Sequence, residues 1–467
     1  MVLSRIWSAF IIVAILVASI KYLVSDNYKA IYNDMVVGKS GDTVQIATKK
    51  SSEISPLIQK NLLAKKDFTE NRIHYKSDSA QSKVNVYRVQ QTDGVIGTSE
   101  TAVKICLGLI GIMTLFMGFM SIAEKAGGIN LLARMIQPFF SKLFPEIPKN
   151  HPAFGHMLLN FSANLLGLDN AATPFGLKAM ESLQTINPDK DRASNSQIMF
   201  LCLHAGGLTL IPVSIIAIRA SMGSHTPTDI FLPCMIATFA ATLAAMIVVS
   251  LYQKINLLQP VVIAYVGGIY AIIAVLLVYL VNLIKEGLDD FSKLLSNGII
   301  LLIFFAIVLG ALYKKINVFD AFIDGAKEGF WTCVKIIPYL VGMLIAISLL
   351  RTSGVFDVLI DGMKWVAQVV GFDTRFVDGL PTALIKPLSG SGARGMMVDT
   401  MQTFGADSFQ GRLAAVLQGS SDTTFYVIAI YFGAVGIKNT RYTVTAMLLA
   451  DLVGIITSVI LAYLFFA

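Results

Sequence analysis

Two apolar runs in this chain are interrupted at the same internal place. One reads LCLHAGGLTLIPVSIIAI, from Leu201 to Ile218; the other reads AVLQGSSDTTFYVIAIYF, from Ala415 to Phe432. Setting His204 against Gln418 puts Gly206 and Gly207 opposite Ser420 and Ser421, and Thr209 opposite Thr423. In hydrocarbon every backbone N–H and C=O must be satisfied within the protein. A crossing helix can therefore be broken only where protein or a wet cavity surrounds the gap. Paired breaks in two halves of a membrane protein point to a binding site near the bilayer midplane.

The rest of the chain supplies the lipid setting. Only 14% of its 467 residues are charged and 55% are hydrophobic, whereas a soluble domain carries about 25% charge. Apolar segments fall at 105–123, 197–218, 229–251, 260–284, 298–313, 330–350, 411–436 and 443–466, after a first one at Ile6–Val24. Most have the length needed to span a bilayer core. The fold class is thus an all-α polytopic membrane protein with nine expected crossings. Arg5 precedes the first segment and no small-residue cleavage site follows it, which predicts an uncleaved anchor with a cytoplasmic N-terminus. The four cysteines lie in apolar segments without CxxC spacing and read as buried structural thiols.

Residues 25–104 are polar, with alternating runs at Thr43–Ala47 and Lys83–Val89. Alternation of this kind predicts half-buried strands, hence a small extracytoplasmic β-rich insert. Residues 153–184 and 376–404 are each two short arms joined by a small or polar turn, as in re-entrant helical hairpins. The order span, amphipathic stretch, hairpin, broken span, span occurs twice. This divides the chain into an anchor (1–24), the insert (25–104), a first repeat (105–253), linking helices (254–330) and a second repeat (331–467). Three crossings per repeat plus two linking helices turn the second repeat upside down, giving an inverted pair. Cytoplasmic loops then hold Lys190, Arg192, Lys254, Lys314, Lys315, Lys438 and Arg441; the outer loops hold Arg219, Lys285 and Lys293.

Candidate binding residues sit at the tips and breaks. The first tip offers Asn164, Asp169, Asn170 and Thr173, donors and acceptors suited to a polar ligand. Asp169 reads equally as a helix cap. The second tip, Ser389-Gly390-Ser391-Gly392-Ala393-Arg394, opens a helix and can present free N–H groups and a guanidinium to an acceptor or carboxylate. The second break holds Gln418, Ser420, Ser421, Asp422, Thr423 and Thr424, and the first holds His204 and Thr209. Asp422 is an ionisable group in an apolar run, a functional signal by default; the polar side chains can also serve as glue between helices. Asp451 is an isolated acid in the last span, suited to helix–helix contact. No HExxH or GxSxG pattern and no useful Cys–His pair is present, so no enzyme activity, resident metal or cofactor is expected.

At these motifs the chain resembles the spore maturation proteins A and B joined into one polypeptide. NLLGLDNAATPFGLKAM is similar to the A family; PLSGSGARG and QGSSDTTFYVIAIYFG are similar to the B family. Both fall in the nucleoside-recognition, or gate, superfamily, which includes concentrative nucleoside transporters and the pore part of ferrous iron transporters. The resemblance implies hairpins and broken helices around a central site, with the tip and break residues contacting substrate. The expected function is secondary transport of a small polar or anionic organic solute, nucleoside-like or carboxylate, with Na⁺ or H⁺ as coupling ion. The setting is a bacterial cytoplasmic membrane. Expected partners are that solute, lipids and a second copy as a homo-oligomer, but not nucleic acid. The competing reading is a scaffold or sensor that acts through the insert.

Overall fold

The computed structural model describes residues 2–50, 62, 67–70, 73–78, 83–148, 151–165, 169–281 and 285–467. Helix α1 (Val2–Val24) and the short α2 (Ile31–Val36) lead into four strands: β1 (Gly38–Lys50), β2 (Asp67–Glu70), β3 (Ile73–Asp78) and β4 (Lys83–Asp93). They pair antiparallel in the order β1-β4-β3-β2, with Gln45 opposite Tyr87 and Tyr75 opposite Val86. One residue, Gly94, separates β4 from α3 (Val95–Lys125).

Everything after that is helical: α4 (Gly128–Leu143), α5 (Pro152–Leu165), α6 (Asp169–Ile186), α7 (Asn195–Ala205), α8 (Val213–Ser221) and α9 (Phe231–Gln253). Then come α10 (Pro260–Val281), α11 (Lys285–Tyr313), α12 (Val318–Thr352), α13 (Val355–Val369), α14 (Leu380–Ile385), α15 (Gly390–Phe404), α16 (Phe409–Gly419), α17 (Thr424–Ala434) and α18 (Thr443–Phe466). Among the described residues, α1, α3, α9, α12 and α18 are long and apolar enough to cross a membrane. Stretches of α10 and α11, Pro260–Val275 and Asn297–Tyr313, are apolar but shorter.

Two helices start well before their apolar segments. Helix α3 begins at Val95 rather than near residue 105, and α12 at Val318 rather than near 330. The extra turns are held by neighbours rather than by lipid. Thr98 and Ala102 are already buried. Lys125 at the end of α3 pairs with Asp324 in the second turn of α12, at 2.5 Å. The two helices touch backbone to side: any Cβ at Gly325 or Gly329 would collide with the carbonyls of Met117 or Met113. Both helices end on left-handed glycines, Gly127 (φ 83°) and Gly354 (φ 76°), and amphipathic α4 and α13 follow.

The expected two-armed segments appear as α5–α6 and α14–α15. Their arms are unequal. Helices α5 and α6 have 14 and 18 residues, while α14 has 6 and α15 has 15. Pro387 ends α14 one turn early, since it cannot donate to the helix ladder. The two interrupted runs are helix pairs, α7–α8 and α16–α17, and they run antiparallel. Residues before α7 meet residues after α17: the Ala193 N–H donates to the Asn439 carbonyl at 2.9 Å, and those of Lys438 and Asn439 donate to the Asp191 carbonyl. At the opposite end, residues around the end of α8 meet those leading into α16. There Arg219 pairs with Asp229 (2.8 Å) and Asp407 (3.0 Å), and Arg412 with Asp229 (2.7 Å). Arg219 is therefore not the loop residue its charge suggests. It lies in the last turn of α8 and is fully buried, its guanidinium also donating to the Ala406 and Thr226 carbonyls.

The core lies between these layers. Buried side chains of α3, α8, α9, α12, α15 and α16 form one apolar cluster, into which Cys106, Cys234 and Cys333 are packed. All four cysteines are free and buried. Helix α1 is fastened to α12 at two heights: Trp7 Nε1 donates to the Gly342 carbonyl (2.8 Å) and Lys21 Nζ to the Ser353 carbonyl (2.7 Å).

Candidate functional site

The two breaks meet. Helices α7 and α16 are each 11 residues long, each capped by a serine whose hydroxyl accepts an N–H two residues into the helix: Ser194 from Gln197, and Ser408 from Gly411. Their C-terminal ends arrive side by side, and the Asp422 N–H donates to the Ala205 carbonyl at 2.8 Å. One run's gap thus satisfies the other's helix end. Gly207 makes the approach feasible. Its φ is +63°, and a Cβ there would lie 3.2 Å from the backbone at Ser421 and Asp422.

Around this crossing, the first break gathers His204, Asn160, Asn164 and Asp422. His204 Nδ1 lies 2.8 Å from Asn164 Nδ2 and 3.1 Å from Asn160 Oδ1. Asn160 Nδ2 donates to the Ala172 carbonyl (2.7 Å), so its oxygen is the atom turned to the ring. One ring nitrogen cannot donate to Asn160 and accept from Asn164 together, so the tautomer and the Asn164 amide are set jointly. Nε2 faces Asp422 Oδ2 at 3.6 Å, an ion pair when the ring carries both protons. The Tyr431 ring packs edge-on against His204 with centroids 5.0 Å apart, its hydroxyl beside Asn160 and Thr173. Thr209 Oγ1 donates to the Gly207 carbonyl (2.9 Å) and lies 3.4 Å from that of Asn164, while the Leu210 N–H donates to the Leu165 carbonyl, tying the break to the end of α5.

The second break lies under the α14–α15 turn. The Phe425 N–H donates to the Pro387 carbonyl (2.9 Å), and Gln418 Nε2 reaches the Gly390 carbonyl at 3.4 Å. Ser389 caps α15 through the Gly392 N–H (2.9 Å) and lies 3.2 Å from the Ser391 hydroxyl. Thr424 donates to Asp451 Oδ2 (2.6 Å). Asp422 accepts from the Thr423 N–H and keeps 43% of its side chain exposed, against 4% for the whole of Asp451. Asp422 is thus an open acid among buried neighbours.

Of the sequence candidates, His204, Asn164, Thr209 and Asp422 come together at the crossing, with Thr173 reached through Tyr431. Ser389, Gln418, Ser421, Thr423 and Thr424 line the second break. Ser420 turns its hydroxyl back to the Leu417 carbonyl, closing its own helix. Arg394 stands off to one side: with Ser391 it lines a cavity of about 50 Å³ against Ile336, Tyr339 and Leu340 of α12. Asp169 and Asn170 open α6, but their side chains and residues 166–168 lie outside the described residues.

Sequence reasoning missed three participants. Asn160 lies one turn before Asn164, an i,i+4 polar pair in an apolar arm that could have been noticed. Lys386, 8% exposed, is a buried basic residue just before the second tip. Tyr431 gives no signal in a run of aromatic and aliphatic residues.

A family model described as nucleoside recognition (gate) matches residues 106–222 and again 333–438. The chain is 45% identical to spore maturation protein B of Bacillus subtilis (strain 168) over 172 residues, which is 37% of this chain and 95% of that protein. It is 43% identical to spore maturation protein A of the same organism over 156 residues, 33% of this chain and 80% of that protein. No solved structure matches the chain. Parts of one polypeptide cover 95% of one relative and 80% of the other, and its two halves each match the gate model: the chain belongs to the spore maturation protein A and B family of gate-domain membrane proteins.

Proposed function

We propose that the protein is a secondary transporter of a small polar or anionic organic solute, nucleoside-like or carboxylate, moved through a midplane site between two inverted repeats. The observation that carries this reading is the meeting of the two breaks, where Asp422 donates to Ala205 across the crossing. Antiparallel broken helices, each with a two-armed segment at its break, are the arrangement in which alternating access works by rocking one repeat against the other. The double match to one domain model supports the repeat. In this reading α5–α6 and α14–α15 are re-entrant hairpins, and the expected nine crossings are five long helices, α10, α11 and the two broken pairs. Exposed Lys190 and Lys438, with half-buried Arg441, at one end of the crossing support a cytoplasmic face there, with the N-terminus inside and the β-sheet outside. The coupling ion is Na⁺ or H⁺, and neither a resident metal nor catalysis is involved.

The test is uptake and binding by purified protein in liposomes, screened with radiolabelled uridine, adenosine, lactate, succinate and serine. Saturable uptake of at least one, reduced tenfold or more in Asp422→Asn, is the expected result. No uptake or binding of any, together with an unchanged cellular phenotype in Asp422→Asn, overturns it. If instead removal of residues 38–93 abolishes the phenotype in a folded protein while Asp422→Asn is silent, the scaffold reading takes its place.

A further inference from the structure

The neighbours of His204 fix which of its ring nitrogens carries a hydrogen. Asn160, fully buried on α5, gives its Nδ2 to the Ala172 carbonyl at 2.7 Å. A reversed amide would set oxygen against oxygen there. The atom 3.1 Å from His204 Nδ1 is therefore Oδ1, an acceptor, and Nδ1 must carry the hydrogen. Asn164, whose amide lies 2.8 Å from the same nitrogen, then turns its oxygen to that hydrogen by a half rotation that leaves its shape unchanged.

A neutral ring in this tautomer has a bare lone pair on Nε2. That lone pair faces Asp422 Oδ2 at 3.6 Å. Two acceptors are thus set against each other, and one proton completes the pair. Na⁺ suits the place less well, because hard cations take oxygen ligands rather than an imidazole nitrogen. With the proton bound, both ring N–H groups meet acceptors: Asn160 Oδ1 on one side, the carboxylate on the other. The His204 side chain is 6% exposed and that of Asp422 is 43% exposed, so the proton arrives past Asp422 and is held on His204.

The pair lies at the joint between the two breaks. His204 precedes Ala205, whose carbonyl takes the Asp422 N–H. The same two segments are tied by a main-chain bond and, when the proton is present, by a charged side-chain bond as well. Facing His204 are Asp422 from the second break, the Tyr431 ring of α17, and the neutral amides of Asn160 and Asn164 from α5. Within electrostatic reach of Asp422 are also the Tyr426 and Tyr431 phenols of α17 and the Asp451 carboxyl of α18.

We propose that His204 Nε2 and Asp422 form the seat of the coupling proton, and that Asn160 is the positioning residue that keeps Nε2 open for it. A hydronium ion gives its proton to the Nε2 lone pair; an N–H bond forms, water leaves, and one positive charge enters the site beside the Asp422 carboxylate. No bond in the solute changes. This deepens the transport reading by naming H⁺ as the coupling ion, and it rests on that reading for the coupling.

The experiment is solid-state NMR of the ¹⁵N-histidine-labelled protein in liposomes, titrated from pH 9 to pH 5, with His204 assigned by the signal missing from His204→Gln. The neutral wild-type ring should show Nδ1–H and a bare Nε2, and both nitrogens should become protonated on acidification, in Na⁺ and K⁺ buffers alike. Asn160→Leu should admit the Nε2–H tautomer, a change that loosened packing alone would not select. Asp422→Asn should lower the doubly protonated fraction at a fixed acidic pH about tenfold or more, because the facing negative charge is gone. A neutral wild-type ring with Nε2–H, or a ring that never gains its second proton, overturns the seat, whether or not the variants fold. A tautomer unmoved in Asn160→Leu overturns the role of Asn160, and a fraction unchanged in Asp422→Asn overturns that of Asp422. In liposomes loaded with the pH dye pyranine, any of uridine, adenosine, lactate, succinate and serine that is taken up should bring protons in with it when K⁺ replaces Na⁺. Uptake that moves no protons, or that requires Na⁺, overturns the coupling while leaving transport standing. The expected spectra without uptake of any of the five remove the transport reading and, with it, the coupling.

Discussion

The two ends of the broken-helix crossing are built from opposite materials. At one end, four charged side chains, Arg219, Asp229, Asp407 and Arg412, are interlocked, with Arg219 wholly buried. At the other, the contact is carried mainly by main-chain hydrogen bonds among Asp191, Ala193, Lys438 and Asn439, with the half-buried Arg441 guanidinium donating to the Ala193 carbonyl and Asn195 Oδ1, and its ion pair, Lys438 with Asp191 at 3.3 Å, is 80% and 70% exposed. Exposed pairs contribute little, whereas breaking a buried one strands its partner. The first end, built on buried charge, is a lock, and the second, built on exposed contacts, is a seam. In a molecule that opens on alternate sides, such ends would not cost the same to open.

The largest expected effect breaks that contrast outright. Arg219→Met takes the guanidinium from Asp407 and leaves Asp229 to Arg412 alone; it should destabilise the protein by about 3–5 kcal/mol, seen as a sharply lowered thermal midpoint or loss of the monodisperse peak in detergent. A loss under 1 kcal/mol would mean that this end is no lock.

Acid should act on the same end. Burial tends to raise the Asp407 carboxyl, but the Ser224 hydroxyl, the His225 N–H and the Arg219 and Arg412 guanidinium groups outweigh it and hold the group below its usual range. A lowered carboxylate stabilises the fold at pH values above its unfolded value, near 3.9, and that contribution fades as pH falls through the lowered one. Unfolding midpoints measured from pH 7 to pH 3 should therefore fall less steeply in Asp407→Asn than in the wild type. Equal slopes would remove Asp407 from the lock.

A smaller effect sharpens the place where the ends are joined. Gly207→Ala forces a side chain into a left-handed conformation against the Ser421–Asp422 backbone. It should cost about 1–3 kcal/mol and, in the proposed transporter, by separating the breaks, weaken solute binding more than it lowers stability. Equal losses in the two would make Gly207 a purely structural residue. The smallest effect belongs to the seam: Lys438→Ala should shift stability by less than about 1 kcal/mol, and a larger shift would erase the difference between the ends.

What the sequence made legible follows from how locally each feature is encoded. The breaks could be read because Gly206–Gly207 and Gln418–Thr424 are polar or small within apolar runs, and their His204–Gln418 alignment agrees with the ends of α7 and α16. Helix starts could not. Hydropathy reports lipid contact, and the first turns of α3 and α12 are held by protein. Arg219 was misplaced for a related reason: a charge normally marks the end of a membrane segment, and nothing local announces partners about 190 positions away. The contact of the α14–α15 turn with the second break was hidden because it depends on α14 stopping after 6 residues and on the Pro387–Phe425 contact, both tertiary facts.

Gly94 has a mechanical side. It is the single residue between β4 and α3, and it is wedged against the backbone of Val36 and Gly38. A joint that short has no slack. Any rotation of α3 about its axis is passed as torque into the sheet, and any load on the sheet is felt along a 31-residue rod that lies against α12 through Gly325 and Gly329. The strands are geared to the helices rather than tethered to them.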